Sequence, residues 1–169
     1  MANVAARRCG TVLAVTPDRV SADALAARFD AALASTFVRW NVAIARPADL
    51  RGLVSEGRQP VVVVADLEDL SAHLLGEGGS DLDYYLAALD LVVVEDLDTL
   101  HGVSLAHAAG LMRRLMLALE GAQPRLLVTA GEVTDPGPWA SRIVGRKLEV
   151  VLGGPRNPVE QRVHTLVPQ

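Results

Sequence analysis

The sequence predicts an α/β fold built as a three-layer, mostly parallel, doubly wound sheet. Three observations lead to this prediction. Short runs of Val and Leu recur along the chain, these runs are continuous rather than alternating, and segments with helical periodicity lie between them. A continuous apolar run is typical of a strand buried on both faces, as the strands of parallel sheets are.

Five segments are strong candidates for strands, and a sixth is weaker. The strong ones are Thr11–Val15, Val61–Ala65, Leu91–Val94, Arg125–Thr129 and Leu148–Leu152, and the weaker one is Val38–Ala45. Helical segments are expected from Ser21, Pro47, Glu68 and Val103, and around Trp139. For the first of these helices Ser21 is the expected N-cap, because a serine hydroxyl accepts hydrogen bonds from the free N–H groups of a first turn.

Length and composition bound the architecture. A chain of 169 residues favours one domain, 1–169, with 153–169 as a closing strand and exit tail. Half of the residues are hydrophobic and only 4% are aromatic, so the core must be aliphatic. The single cysteine, Cys9, excludes an internal disulfide framework.

The net charge and the hydropathy of the chain limit the classes of partner that we expect it to bind. The formal net charge is −4, which argues against broad electrostatic attraction to nucleic acid. Unbroken apolar runs such as Val61–Ala65 are far too short to cross a bilayer, and the residues after Arg7 and Arg8 do not read as a secretory signal. We therefore expect a cytoplasmic protein without a membrane partner.

Paired acids follow the strand Leu91–Val94. Glu95 and Asp96 come directly after it, and Asp98 stands two positions later. In nucleotide-hydrolysing α/β folds, carboxylates at this place hold a magnesium ion and activate the attacking water. Acids after a buried strand are also common as ordinary solubilising loop residues, so the pattern alone does not decide.

The surrounding residues resemble the Walker B region of DEAD/DEAH-type helicases, in the branch of the MrfA and Hrq repair helicases. That pattern runs roughly DE-x-H-T-Y-R-G-V-x-x-S-H, then R-R-L five residues later. The residues that fall on it without a gap are Thr99, Gly102, Val103, His107, Arg113, Arg114 and Leu115. Residues 126–145 resemble the segment around the family's S-A-T motif, and residues 13–29 its P-T-x-A-L segment. The resemblance implies a first RecA-like motor domain, related to P-loop NTPases.

The departures from the family pattern point away from catalysis. No G-x-x-x-x-G-K-[ST] motif occurs in the sequence, the D-E order is reversed to Glu95–Asp96, and the family's histidine is Asp98. The S-A-T motif is replaced by Ala130, Gly131 and Glu132, so both hydroxyls are lost. We therefore interpret both motifs as relics and expect no catalytic residue, no metal and no cofactor.

The resemblance also raises a structural question. In RecA-like domains the strand that leads into the phosphate loop is interior to the sheet, so its loss would leave an unpaired edge. Either Leu148–Leu152 closes that gap or a partner chain does. This favours a protein partner or a homodimer.

Our leading hypothesis is a non-catalytic, degenerate helicase-like domain that binds protein or nucleic acid, as part of a DNA-processing complex. Candidate contacts to a strand or partner are Pro17, Asp18, Arg113 and Arg114. One alternative is a pseudo-receiver of flavodoxin-like fold with Asp66 as the phosphate acceptor and Lys147 near the last strand. Another is an ATPase half that a partner subunit completes in trans, which would keep Glu95 and Asp96 in use.

Overall fold

The computed structural model describes residues 11–34, 43–55, 60–75, 85–131, 133–151 and 164–168. Its strands are β1 (Thr11–Thr16), β2 (Ala43–Ala45), β3 (Pro60–Asp66), β4 (Leu89–Val94), β5 (Arg125–Ala130), β6 (Leu148–Val151) and β7 (His164–Pro168). Its helices are α1 (Arg19–Ala34), α2 (Leu50–Ser55), α3 (Leu67–Asp69), α4 (Gly102–Ala118) and α5 (Pro136–Val144). Turns of 3-10 helix occupy Pro47–Asp49 and Leu97–Thr99, and α3 continues as a π-helical turn over Leu70–Leu74.

The described strands form one sheet in the order β2-β3-β1-β4-β5-β7-β6. The first five of these strands are mutually parallel, whereas β7 is antiparallel to both of its neighbours. The predicted α/β, mostly parallel, doubly wound sheet is confirmed. The chain fills the β2–β3 side of β1 before it crosses to β4, so the strand order reverses between β1 and β4. Open α/β sheets place their ligand sites outside the carboxyl ends of the strands at such a reversal.

The strand order also decides against the flavodoxin-like alternative. Flavodoxin-like sheets have the order 2-1-3-4-5. Here β1 lies between β3 and β4, and β2 lies beyond β3. The pseudo-receiver interpretation is therefore wrong at the level of topology.

Apolar side chains cover both faces of the central strands, which gives the three layers. On one face, α1 buries Ala22, Leu25 and Phe29 against alternate residues of β1, β3 and β4. On the other face, the core contains Leu111, Met112 and Leu115 of α4 together with Ile143 and Val144 of α5. As the sequence predicts, this core is almost entirely aliphatic.

The strong strand predictions agree with β1, β3, β4 and β5 to within two residues at each end. Of the weaker candidate Val38–Ala45, only residues 43–45 are described, and they form β2. Leu152, the predicted end of the last run, lies outside the described residues.

The start of α1 differs from the prediction. The helix begins at Arg19, two residues before Ser21. Asp18 is the actual N-cap, because its main-chain oxygen accepts from the Ala22 N–H and its Oδ1 accepts from the Ser21 N–H at 2.9 Å. The aspartate reaches the same free N–H groups from further upstream, so Ser21 lies within the first turn.

Of the two alternatives for closing the sheet, closure by Leu148–Leu152 does not occur in the described residues. The strand from this run, β6, pairs with β7 and not with β5. Instead β7 pairs with β5, matching Thr165 to Thr129 and Leu166 to Val128. A segment from the predicted exit tail thus satisfies the backbone groups along the edge of β5.

In the described ranges, no helix combines the length and apolar character needed to cross a bilayer.

We predict opposite effects for alanine at two helical glycines. A Cβ at Gly137 in α5 would lie 2.8 Å from Val150 Cγ2 of β6, so Gly137→Ala requires α5 or the Val150 side chain to shift. Overpacking outweighs the gain in helix propensity, and we expect a net loss of about 1 kcal/mol in the free energy of unfolding. Gly110 is exposed in α4 with nothing within 4 Å of its Cβ position. There alanine should add roughly 0.5–1 kcal/mol. Urea unfolding of both variants checks the two signs, and stabilisation by Gly137→Ala would contradict the packing of α5 on β6.

Candidate functional site

Glu95 lies at the carboxyl end of β4, beside the point where the strand order reverses. Its main-chain N–H still pairs with the Val15 oxygen of β1 at 2.9 Å, so the residue is held as an extension of the strand. Its side chain is only 8% exposed, and Oε2 accepts a hydrogen bond from Nη2 of Arg28 at 3.0 Å. Arg28 projects from α1, and its own side chain is 66% exposed.

The electrostatics of Glu95 follow from this burial. Loss of water around the carboxylate raises the pKa of Glu95 above its usual value of 4.5. The positive charge of Arg28 lowers the pKa, and the negative charge of Asp96 raises it. The carboxylate is thus shielded from solvent and already has a counter-ion from within the chain.

Asp96 turns away from Glu95. Its backbone is left-handed, with φ of 56° and ψ of 23°, and its side chain is exposed. The next residue, Leu97, is completely buried and draws the chain back towards the core. The N–H and hydroxyl groups of Thr99 both donate to the Asp96 main-chain oxygen, which closes the 3-10 turn. The side chain of Asp96 therefore points out of the sheet, while that of Glu95 is held under Arg28.

Asp98 connects the two segments that the sequence analysis interprets as relic motifs. Its Oδ2 accepts from the Gly131 N–H at 3.0 Å, so the loop after β4 is tied to the loop after β5. A Cβ at position 131 would lie 3.0 Å from the same oxygen, so glycine leaves just enough room for the contact. Asp98 Oδ1 is buried and has no hydrogen-bond partner among the described residues.

The three predicted acids therefore do not converge on one point. Glu95 is buried against Arg28, Asp96 is exposed, and Asp98 binds a backbone N–H group. Over the ranges that the structure covers, no group of three or more His, Cys, Asp or Glu residues is placed to hold a metal ion.

A second ionic cluster lies at the same edge of the sheet, beyond β1. Arg46 follows β2, and its Nη2 contacts Asp66 at 2.8 Å and also Asp69. Asp66 ends β3 and caps α3, because its Oδ1 accepts from the Asp69 N–H at 2.8 Å. Arg19 and Asp23 of α1 join the outside of this cluster. Asp66, the acceptor in the receiver hypothesis, is thus almost fully buried and doubly engaged.

All four predicted contact residues are described, and three of them make hydrogen bonds within the chain. Asp18 caps α1, and its neighbour Pro17 is half-buried. Arg113 donates to the Arg142 oxygen at 3.1 Å, and Arg114 donates to the Leu75 oxygen at 2.7 Å. Both arginines therefore stabilise the carboxyl ends of other helical segments, although their side chains remain largely exposed.

Of the three residues predicted to be a relic S-A-T motif, Ala130 and Gly131 are described. Ala130 is buried at the end of β5 and pairs with His164 of β7. Gly131 makes the contact with Asp98. Glu132 lies outside the described residues.

Sequence reasoning missed Arg28 and Arg46. The partner of Arg28 is 67 residues away, and nothing in the local pattern of an exposed helical arginine indicates it. Arg46 could have been found, because it directly follows one parallel strand and Asp66 ends the next. Parallel strands bring such residues to the same edge of a sheet.

We predict that Glu95→Gln stabilises the protein at pH 7. Because burial raises the pKa of Glu95, its contribution to stability is present below the unfolded pKa and is lost as pH rises through the folded pKa. Glutamine removes the buried charge and still accepts a hydrogen bond from Arg28. The thermal midpoint of the variant should exceed that of the wild type at pH 7, and the difference should shrink as the pH falls towards 4.5.

Glu120→Gln, at an exposed position after α4, is the matched control and should leave the midpoint unchanged at either pH. A loss of stability in Glu95→Gln that is equal at both pH values would contradict this description of the buried carboxylate.

We further predict that Asp98→Ala destabilises the protein by about 1–3 kcal/mol, because the Gly131 N–H would lose its acceptor. Asp96→Asn alters an exposed neighbour in the same turn and should cost less than about 0.5 kcal/mol. Denaturant unfolding measures both. Equal effects of the two substitutions would show that the contact between the loops contributes nothing.

No protein-family model and no curated protein sequence matches the chain. Solved structures of DUF1998 helicase MrfA do match its fold. The structure bound to DNA superposes with a TM-score of 0.70 at 16% identity, covering 86% of this chain and 21% of that one. The structure bound to DNA and AMPPNP gives 0.71 at 16% identity, covering 86% and 21%. A third MrfA structure gives a TM-score of 0.68 at 17% identity, covering 85% of this chain and 23% of that one. The chain thus spans about a fifth of the length of these helicases, and it shares the fold of their matched region.

Proposed function

We propose that this chain is a non-catalytic, helicase-like domain that acts as a binding module. The proposal rests on the positions and contacts of the three acidic side chains after β4. Each has a separate environment, and two of them are engaged within the chain, Glu95 by Arg28 and Asp98 by Gly131.

The chemistry of nucleotide hydrolysis explains why this arrangement matters. A magnesium ion needs carboxylate oxygens that are free to approach it at about 2.1 Å in near-ideal geometry. At Glu95 the metal would have to displace the Arg28 guanidinium and enter a dry site, or lie beside that positive charge. Catalytic groups tolerate misplacement of about an ångström poorly. The 169 residues also contain no phosphate-loop motif.

Charge at the carboxyl edge of the sheet favours a protein ligand. Three arginines lie on the α1 side, and each contacts carboxylates of the chain itself. The arginines are Arg19, Arg28 and Arg46, and the carboxylates belong to Asp23, Asp66, Asp69 and Glu95. Binding to a nucleic-acid backbone depends on cations that are available to replace the counterions of phosphates. Here these cations are already neutralised.

A nucleic-acid strand is the second candidate ligand. This candidate is suggested by the similarity in fold to a helicase whose structure was determined bound to DNA. The exposed Arg113 and Arg114 would be the sources of phosphate contacts, since within the described residues neither forms an ion pair with a carboxylate.

Titration calorimetry and a phosphate-release assay with ATP and magnesium test the non-catalytic proposal. We expect no binding in the micromolar range and no turnover, and Asp96→Asn should behave like the wild type. Turnover that Asp96→Asn abolishes would defeat the proposal.

Fluorescence anisotropy with labelled single-stranded DNA separates the two ligand classes. For a protein-binding module we expect weak binding that disappears at physiological salt and does not change in Arg113→Ala with Arg114→Ala. Salt-resistant binding that this pair of substitutions weakens at least about tenfold would favour the nucleic-acid candidate.

A further inference from the structure

The positive side chains of α4 and α5 differ from those beside α1 in their partners. Arg19, Arg28 and Arg46 on the α1 side form ion pairs with acids of the chain. Within the described ranges, no ion pair involves the cations of α4, of α5 or of the turn after α5, which are Arg113, Arg114, Arg142, Arg146 and Lys147. Neither helix contains an aspartate or a glutamate, although the formal net charge of the chain is −4. Positive charge is therefore concentrated on the α4–α5 side of an acidic molecule.

Two contacts of Arg113 bring most of these cations together at the end of α5. Nη2 of Arg113 donates to the main-chain oxygen of Arg142 at 3.1 Å, so the arginine reaches from α4 to the last turn of α5. The stem of Arg113 lies beside Gly145, where a Cβ would be 3.6 Å from its Cγ. Arg146 and Lys147 come directly after this glycine. Because Arg142 contributes only its main-chain oxygen to these contacts, its exposed side chain remains available to a ligand.

A pocket lies one helical turn from Arg114. It has a volume of about 280 Å³ and is lined by Leu86, Ala87, Ala118, Gly121 and Ala122. Ala118 is four residues after Arg114 on α4, and side chains at this spacing are about 5–6 Å apart. Sites for small molecules usually have volumes of roughly 300–1,000 Å³, so this pocket suits a single side chain better than a whole small molecule.

An exposed leucine lies between the cations and the pocket. Leu117 follows Arg113 by four residues and Arg114 by three, so the three side chains share one surface of α4. Leu117 is 69% exposed. The acid nearest to it in sequence, Glu120, is exposed in the turn after the helix. Apolar and positive groups are thus available side by side.

We propose that these groups form a docking surface for an acidic segment of a partner protein. The surface consists of Arg113, Arg114, Leu117, the pocket beside Ala118 and the basic end of α5. An apolar side chain of the segment would fill the pocket, and carboxylates on either side of it would pair with the arginines. A guanidinium has five N–H groups, and the contacts of Arg113 and Arg114 with main-chain oxygens leave others free for carboxylates. This inference rests on the proposed binding function and specifies the chemistry of its protein ligand.

The apolar part of the surface favours protein over nucleic acid. Contacts with phosphates need only cations, and binding of unpaired bases relies on aromatic side chains for stacking. The aromatic residue of α5, Trp139, is packed against the core. Leu117 and the pocket gain from burial against an apolar side chain, at about 25 cal/mol per Å² of apolar surface removed from water. A phosphate backbone offers no such surface.

Fluorescence anisotropy with the full chain and two labelled peptides tests the proposal. In the first peptide one phenylalanine stands between two pairs of glutamates, and in the second a serine replaces the phenylalanine. We expect the first to bind with a dissociation constant below about 1 mM and the second to bind at least about fivefold more weakly. No binding of the first peptide, or equal binding of the two, would overturn the proposal.

Substitutions locate the binding. Arg114→Ala and Leu117→Ser should each weaken binding of the first peptide at least about fivefold. Arg19→Ala and Val20→Ser are the matched controls on α1, where the arginine side chain is 62% exposed and the valine is 79% exposed. Both controls should bind as the wild type does, and thermal midpoints show that all four variants are folded. Equal losses in the controls would overturn the assignment to this surface.

Three further results separate this inference from its alternatives. Single-stranded DNA that binds more tightly than the first peptide at physiological salt, and is released by Arg114→Ala, would assign the surface to nucleic acid and overturn the proposal. Self-association of the wild type that Leu117→Ser abolishes would assign it to a second copy, with the same consequence. ATP turnover would defeat the proposed non-catalytic function and leave the peptide results unchanged, whereas failed peptide binding without turnover would remove the docking surface alone.

Discussion

Burial of β4 on both faces is the constraint from which the candidate site follows. Val92 and Val94 pack against α4 and α5, while Leu91 and Val93 pack against α1. This alternation directs the next side chain, Glu95, back towards α1, where Arg28 provides a counter-ion. A carboxylate held in this way gains a hydrogen bond and a partner charge, which offset part of its desolvation. The arrangement engages the carboxylate within the chain and leaves it poorly placed for a metal.

Other polar side chains at the same edge of the sheet are also paired within the chain. Arg46 forms ion pairs with Asp66 and Asp69 after β2 and β3, and Asp98 accepts a hydrogen bond from a backbone N–H after β5. Polar side chains at the carboxyl ends of parallel strands usually face outwards to a ligand. In this chain they face one another. This edge of the sheet therefore lies where ligand sites usually lie. Its polar side chains, however, pair with one another, as they do in a cluster that stabilises structure.

Much of the sheet could be predicted from the sequence, because continuous Val and Leu runs have few alternatives to a strand buried on both faces. The strands β1, β3, β4 and β5 follow directly from this rule. The position of β7 does not, since a short, moderately apolar segment near the end of the chain gives no sign of which gap it will fill. The contacts of the acidic side chains after β4 could not be predicted from the sequence either. The contact between Asp98 and Gly131, and that between Glu95 and Arg28, join residues distant in sequence whose approach depends on the packed helices.

Paramagnetic relaxation by manganese offers the most direct test of whether the acids after β4 are structural. Amide signals of a labelled sample would be followed as manganese and ATP are added together. If Glu95 and Asp98 are engaged internally, the residues after β4 and β5 should broaden no more than exposed acids such as Asp30 on α1. Broadening concentrated at residues 94–98 and 130–131, at low concentrations of the metal nucleotide, would contradict the account.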